Sequence, residues 1–114
     1  MSAQKAHLRV TLYLGDHKIG PGKIQLLEAI ERAGSISGAA RAMEMAYRHA
    51  WEMVDDLNRC FRQPVTSAST GGRAGGGAEL TAFGRALIEH FHEIETRALS
   101  ATTEDLESLQ TEIN

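Results

Sequence analysis

Scarcity is informative in this chain. A single cysteine, Cys60, has no partner for an internal disulfide and excludes a zinc site built from cysteines alone. Lying beside an apolar stripe, Cys60 reads as a small residue close to the core rather than as a redox switch. No apolar run approaches the roughly 20 residues that span a bilayer. The opening MSAQKAHLRV lacks the apolar centre of a secretory signal, so the cytoplasm is the expected location and no membrane partner is expected. No Ser, His and Asp spacing suggests a nucleophilic site, and scattered carboxylates do not make an acid–base pair, so no enzyme is expected. Among five histidines, His90 with Glu93 and Glu89 with His92 have ligand-like spacing. Solvated positions on an amphipathic helix explain them more simply, and neither metal nor cofactor is expected.

Positive charge is also short, with a net charge of -3, whereas nucleic-acid binders usually carry a basic footprint. Its distribution matters more than its total. From residue 86 onward seven acids face one base, Arg97, leaving eight acids and eleven bases in the remainder. The body is mildly basic and the tail acidic, which permits DNA binding without requiring it.

At 114 residues the chain has room for one small domain with an appended element. Residues 7–14 alternate, with Leu8, Val10, Leu12 and Leu14 on one face and His7, Arg9, Thr11 and Tyr13 on the other, the pattern of a half-buried strand. A turn-rich GDHKIGPG connection follows. Pro21 or Gly22 then opens a helix over residues 23–33, with Leu26, Leu27, Ile30 and Ala33 inward and Gly34 as its stop.

Residues 34–61 hold two helical patterns separated by a few residues. Ser37 is placed to cap a short helix over residues 38–43, where Ala39 and Ala40 admit a close neighbour. A longer helix begins near Ala46. Its stripe is Ala50, Val54, Leu57 and Phe61, with Trp51 assigned to the core beside it, and Arg48, Glu52, Asp55 and Arg59 lie opposite. A short helix, a tight turn and a longer helix with a polar face can lay a helix in the major groove, although ordinary helical domains also contain such pairs. Pro64 breaks the pattern, and residues 65–69 and 78–80 read as strands of a hairpin around TGGRAGGGAEL. Five of the seven residues 71–77 are glycine. A nucleotide-hydrolase phosphate loop is disfavoured, because Ala78 and Glu79 stand where lysine and Ser or Thr are needed. The stretch is either a flexible tip or a DNA-binding wing in which Arg73 supplies charge. Thr81 caps a long helix from 82 to about 100, striped by Phe83, Leu87, Phe91, Ile94 and Ala98. A separate short acidic helix, capped at Thr102 or Thr103, carries Leu106, Leu109 and Ile113.

GSISGAARAM, AYRHAW and TGGRAGGGAELTAFG together resemble the N-terminal DNA-binding domain of the ModE family of molybdenum-responsive regulators, which is similar in turn to LysR-type head domains. The resemblance spans residues 8 to 100. It implies a mainly α fold with a small β-hairpin: a winged helix-turn-helix with an N-terminal strand and a long C-terminal dimerisation helix. The expected division is a DNA-binding domain over residues 1–81, with the helix-turn-helix at 35–61 and the wing at 65–80, and a dimerisation helix with acidic tail over 82–114. Two residues depart from the family pattern. Glu44 replaces a turn glycine and Ala46 replaces a capping serine, each an expected loss of about 1 kcal/mol. The family's oxyanion-binding domains have no counterpart in these residues, so molybdate sensing is not carried over.

The expected partner is double-stranded, palindromic DNA bound by a homodimer that regulates transcription. Lys23, Ser35, Ser37, Arg41, Arg48, Thr70 and Arg73 are the expected DNA contacts. Tyr47 suits packing as well as it suits a phosphate. Phe83, Leu87, Phe91 and Ile94 are the expected dimer contacts, partly shared with the domain's own core. The alternative is a winged module that acts through a partner protein. Operator, sign of regulation and any small-molecule or protein effector are not encoded legibly.

Overall fold

The computed structural model describes residues 6–69 and 76–114. Its first element is a hairpin rather than a lone strand. β1 (Leu12–Leu14) and β2 (His17–Ile19) pair antiparallel, Leu12 opposite Ile19 and Leu14 opposite His17, around Gly15 at φ 60°. The middle of the expected connection, residues 17–19, is therefore itself a strand. Leu8, Val10 and Leu12 are half-buried and the alternate residues exposed, but Leu14 is exposed because it flanks the hairpin turn.

α1 (Pro21–Ala33) starts with a proline in its first turn, where a missing N–H removes no intrahelical bond. It ends at Gly34, whose φ of 78° suits glycine and whose N–H donates to the Ile30 carbonyl. Ile24, Leu26, Leu27, Ala29 and Ile30 are buried, whereas Ala33, expected inward, is exposed as the chain turns away. α1 is the hub of the fold, touching α2 (Ile36–Ala42), α3 (Tyr47–Cys60) and the elements that follow.

α2 begins two residues earlier than its expected start. Its cap is Ser35, not Ser37: the Ser35 hydroxyl accepts from the Gly38 N–H at 2.9 Å, and Ser37 is exposed in the first turn. Fully buried Ala39 and Ala40 let α2 pack closely on its neighbours. In the turn, Glu44 adopts φ 54°, the left-handed conformation, while the Met45 N–H reaches the Ala40 carbonyl at 2.9 Å. Ala46 occupies the N-cap of α3 without a side-chain hydrogen bond.

β3 (Thr66–Ser69) and β4 (Gly77–Leu80) pair antiparallel, Thr66 opposite Leu80 and Ser69 opposite Gly77. The Ala78 N–H donates to the Gly34 carbonyl at 2.9 Å, anchoring this second hairpin to the α1–α2 turn. α4 (Ala82–Gln110) then starts at Thr81, whose hydroxyl accepts from the Gly84 N–H at 2.9 Å and donates to the Pro64 carbonyl at 2.7 Å. The expected break near residue 100 does not occur. Thr102 and Thr103 donate their hydroxyls to the Ala98 and Leu99 carbonyls at 2.7 and 2.8 Å, satisfying themselves inside one continuous helix instead of capping a second. The last buried residue of α4 is Phe91, so the remainder of the helix overhangs the core.

Candidate nucleic-acid interface

The helix-turn-helix presents α3 with Ala50, Val54 and Leu57 buried and Tyr47, Arg48, His49, Trp51 and Glu52 exposed. Its acids are matched with bases. Arg48 Nε lies 3.4 Å from Glu52 Oε2, Arg59 Nε 3.1 Å from Asp55 Oδ2, and Lys23 Nζ 2.5 Å from Asp56 Oδ2. The first pair is well exposed, and such i,i+4 pairs are worth only about 0.3–0.5 kcal/mol. The Arg48 guanidinium is therefore held only weakly by Glu52.

Lys23, an expected DNA-backbone contact, is engaged within the chain. Its ammonium is bound to Asp56 and donates to the Lys18 carbonyl, which ties the start of α1 to α3. The Lys23 hydrogen bond is the main cause that holds the Asp56 carboxyl below its ordinary value, against the opposing effect of burial. Arg41, at the end of α2, is exposed and has no ion-pair partner among the described residues. The Ser35 hydroxyl is engaged as a cap, and Ser37 remains exposed. Thr70 and Arg73 lie outside the described residues.

Two residues at this site were not legible in their true roles. Asn58 joins the wing to α3: its Oδ1 accepts from the Val65 and Thr66 N–H groups at 2.7 and 3.3 Å, and its Nδ2 donates to Thr66 Oγ1 at 3.3 Å. An asparagine on a polar helix face gives no sign of this, because its partners come from the next element. Trp51, assigned to the core from its place beside Ala50, is 46% exposed. One step beyond the buried stripe brings its ring to a groove of about 600 Å³ between α3 and the β3–β4 hairpin. Its position four residues after Tyr47 is the signal that could have placed it there.

The expected dimer stripe divides in the same way. Leu87 and Phe91 are 6% and 1% exposed within this one chain, so they fill its core and do not offer a partner-facing surface. Phe83 packs edge-on against Phe61, ring centroids 5.0 Å apart. Ile94, at 40% exposure, is the only one of the four that is exposed, and Leu99 and Leu109 are exposed farther along the overhang. Among the described residues no group of three or more His, Cys, Asp or Glu side chains is placed to hold a metal, and no described helix is long and apolar enough to cross a membrane.

No protein-family profile matches the chain. It is 47% identical over 88 residues to the molybdenum-pterin-binding protein MopA of Rhodobacter capsulatus, a match covering 75% of this chain and 33% of that one. Identity to the molybdenum transport protein ModE of Azotobacter vinelandii is 40% over 79 residues, covering 69% and 29%. Identity to the DNA-binding transcriptional dual regulator ModE of Escherichia coli K12 is 33% over 88 residues, covering 75% and 34%. The chain thus spans about a third of the length of the curated relatives it matches. The full-length LysR-type regulator LysG of Corynebacterium glutamicum superposes with a TM-score of 0.56 at 20% identity over 82% of this chain and 30% of its own, a likeness of fold alone. The winged helix-turn-helix of this chain resembles that of the ModE, MopA and MopB family.

Proposed function

We propose that this chain is a sequence-specific DNA-binding transcriptional regulator that acts in the cytoplasm as a homodimer on palindromic double-stranded DNA. The observation that carries the reading is the pairing of an exposed α3, tied through Asn58 to a hairpin wing, with 33% identity to a relative named as a DNA-binding regulator. In this arrangement α3 enters the major groove and Arg48 reaches a guanine edge, while Arg41 and the first turn of α2 approach the flanking backbone.

Selection of duplexes from a random-sequence pool, followed by gel shifts at several salt concentrations, tests this. The expected result is an enriched palindrome bound far more tightly than scrambled DNA, with affinity falling as salt rises. Failure to enrich any duplex would instead leave the winged fold as a module that acts through a partner protein.

A further inference from the structure

We infer that Tyr47 and Trp51 form a thymine-reading ridge, their rings seating the 5-methyl groups that thymine presents in the major groove. The inference rests on the DNA-binding reading above. Tyr47 is 54% and Trp51 46% exposed, and their four-residue spacing stacks them along one side of α3. Both line the groove between α3 and the wing, together with Ile36, Val54, Ala68 and Ala78.

The chemistry of this groove selects its occupant. Among the described residues no lysine or arginine lines it, and the one charged group present is the carboxylate of Asp55. Asp55 is already paired with Arg59, so among the described residues the lining offers a phosphate no unpaired cation. Two half-exposed aromatic rings want an uncharged, apolar partner. Of the groups on base edges in the major groove, only the thymine 5-methyl is apolar. Arg48 and the aromatic pair then divide the reading of α3: the guanidinium takes guanine and the rings take thymine.

The test uses the duplex enriched by the 114-residue chain, with each thymine replaced singly by deoxyuracil, which removes the methyl and leaves base pairing intact. Binding is measured by fluorescence anisotropy for wild type, Trp51→Ala, Trp51→Phe and Tyr47→Ser, each first shown to melt cooperatively. At one or two positions per half-site, deoxyuracil should weaken wild-type binding about four-fold, the equivalent of ~0.8 kcal/mol for one buried methyl-sized group. The same replacement should leave Trp51→Ala or Tyr47→Ser unaffected, while Trp51→Phe keeps part of the sensitivity. Equal deoxyuracil effects on wild type and on both ring-deleting variants at every position would overturn the assignment and leave DNA binding standing. A failure to enrich any duplex would overturn both.

Discussion

Single residues set the weak points of the helix-turn-helix and, in the proposed reading, its selectivity. Ala46 sits at the N-cap of α3 with no side-chain oxygen to accept a free N–H of the first turn. Ala46→Ser should supply that acceptor and stabilise the fold by about 1 kcal/mol, which thermal melting would register as a rise of roughly 4–8 °C for a domain of this size. An unchanged melting temperature would mean that the turn holding Glu44 at φ 54° keeps the new hydroxyl out of reach. Arg48 carries the specificity prediction. It is mounted on a helix packed through Ala50 and Val54, a base firm enough for paired bonds to guanine worth roughly 1–3 kcal/mol of discrimination. Arg48→Ala should therefore lose affinity for the enriched duplex preferentially over a scrambled one, and equal losses on both would make Arg48 a phosphate contact. Sequence periodicity located the face of α3 but not its details: Trp51 lies at the stripe's edge, where a single 100° step decides between core and groove.

At the scale of elements, what was legible is what local chemistry fixes, and what was not depends on contacts between elements. Gly34 as a stop, Pro21 or Gly22 as an opening and Thr81 as a cap each act within one turn of chain, and the helices stop and start there, α1 opening on Pro21. The sequence pointed to Ser37 as the cap of α2, but the Ser35 hydroxyl takes the Gly38 N–H, and a Cβ on Gly38 would lie 2.9 Å from that hydroxyl oxygen and 3.0 Å from the Ala33 Cβ. The joint between wing and α4 was invisible in sequence. A Cβ on Gly84 would lie 2.2 Å from the Val65 carbonyl oxygen, the same oxygen that accepts from the Thr81 N–H. Because both sides are backbone, Gly84→Ala should cost about 1–3 kcal/mol by overpacking, read as a lowered urea midpoint with an unchanged slope. A second joint, between α1 and α4, is built on a histidine held between two carboxylates. His92 Nε2 lies 2.8 Å from Glu28 Oε2 and its Nδ1 3.0 Å from Glu95 Oε1. The Glu28 hydrogen bond, then that of Glu95, raises the His92 pKa above the ordinary value near 6.5. A raised folded-state value means that the stabilisation is complete below the unfolded value and disappears as pH climbs through the folded one. Wild type should thus exceed His92→Gln in stability at pH 5.5–6 by less than about 1 kcal/mol, since these groups are half-exposed, and the difference should vanish at alkaline pH. A gap that widened with pH would reverse the assignment.

For the whole molecule, the decisive feature is a helix longer than its core. α4 is buried only as far as Phe91 but continues to Gln110, giving a particle 54 Å long. Ile94 and Leu99, each 40% exposed, and Leu109 at 66% lie on this overhang, where no part of the domain covers them fully. If the chain binds palindromic DNA as proposed, with half-sites about 34 Å apart, a second copy of the chain is the occupant that fits this overhang. The sequence stripe did not show where the core ends, because Leu87, Phe91 and Ile94 share one periodicity and only the fold shows Leu87 and Phe91 buried and Ile94 exposed. Two classes of variant separate the roles. Ile94→Glu combined with Leu99→Glu should give a folded monomer at micromolar concentration, with native far-UV dichroism and weakened binding to the palindrome. Phe91→Glu, at a site 1% exposed, should instead unfold the domain by burying an unpaired charge. Sedimentation with parallel melting reads both. A wild-type chain that sediments as a monomer at micromolar concentration, or a double variant that remains a dimer, would move the contact away from the overhang, and the palindromic geometry would then require a different two-fold surface.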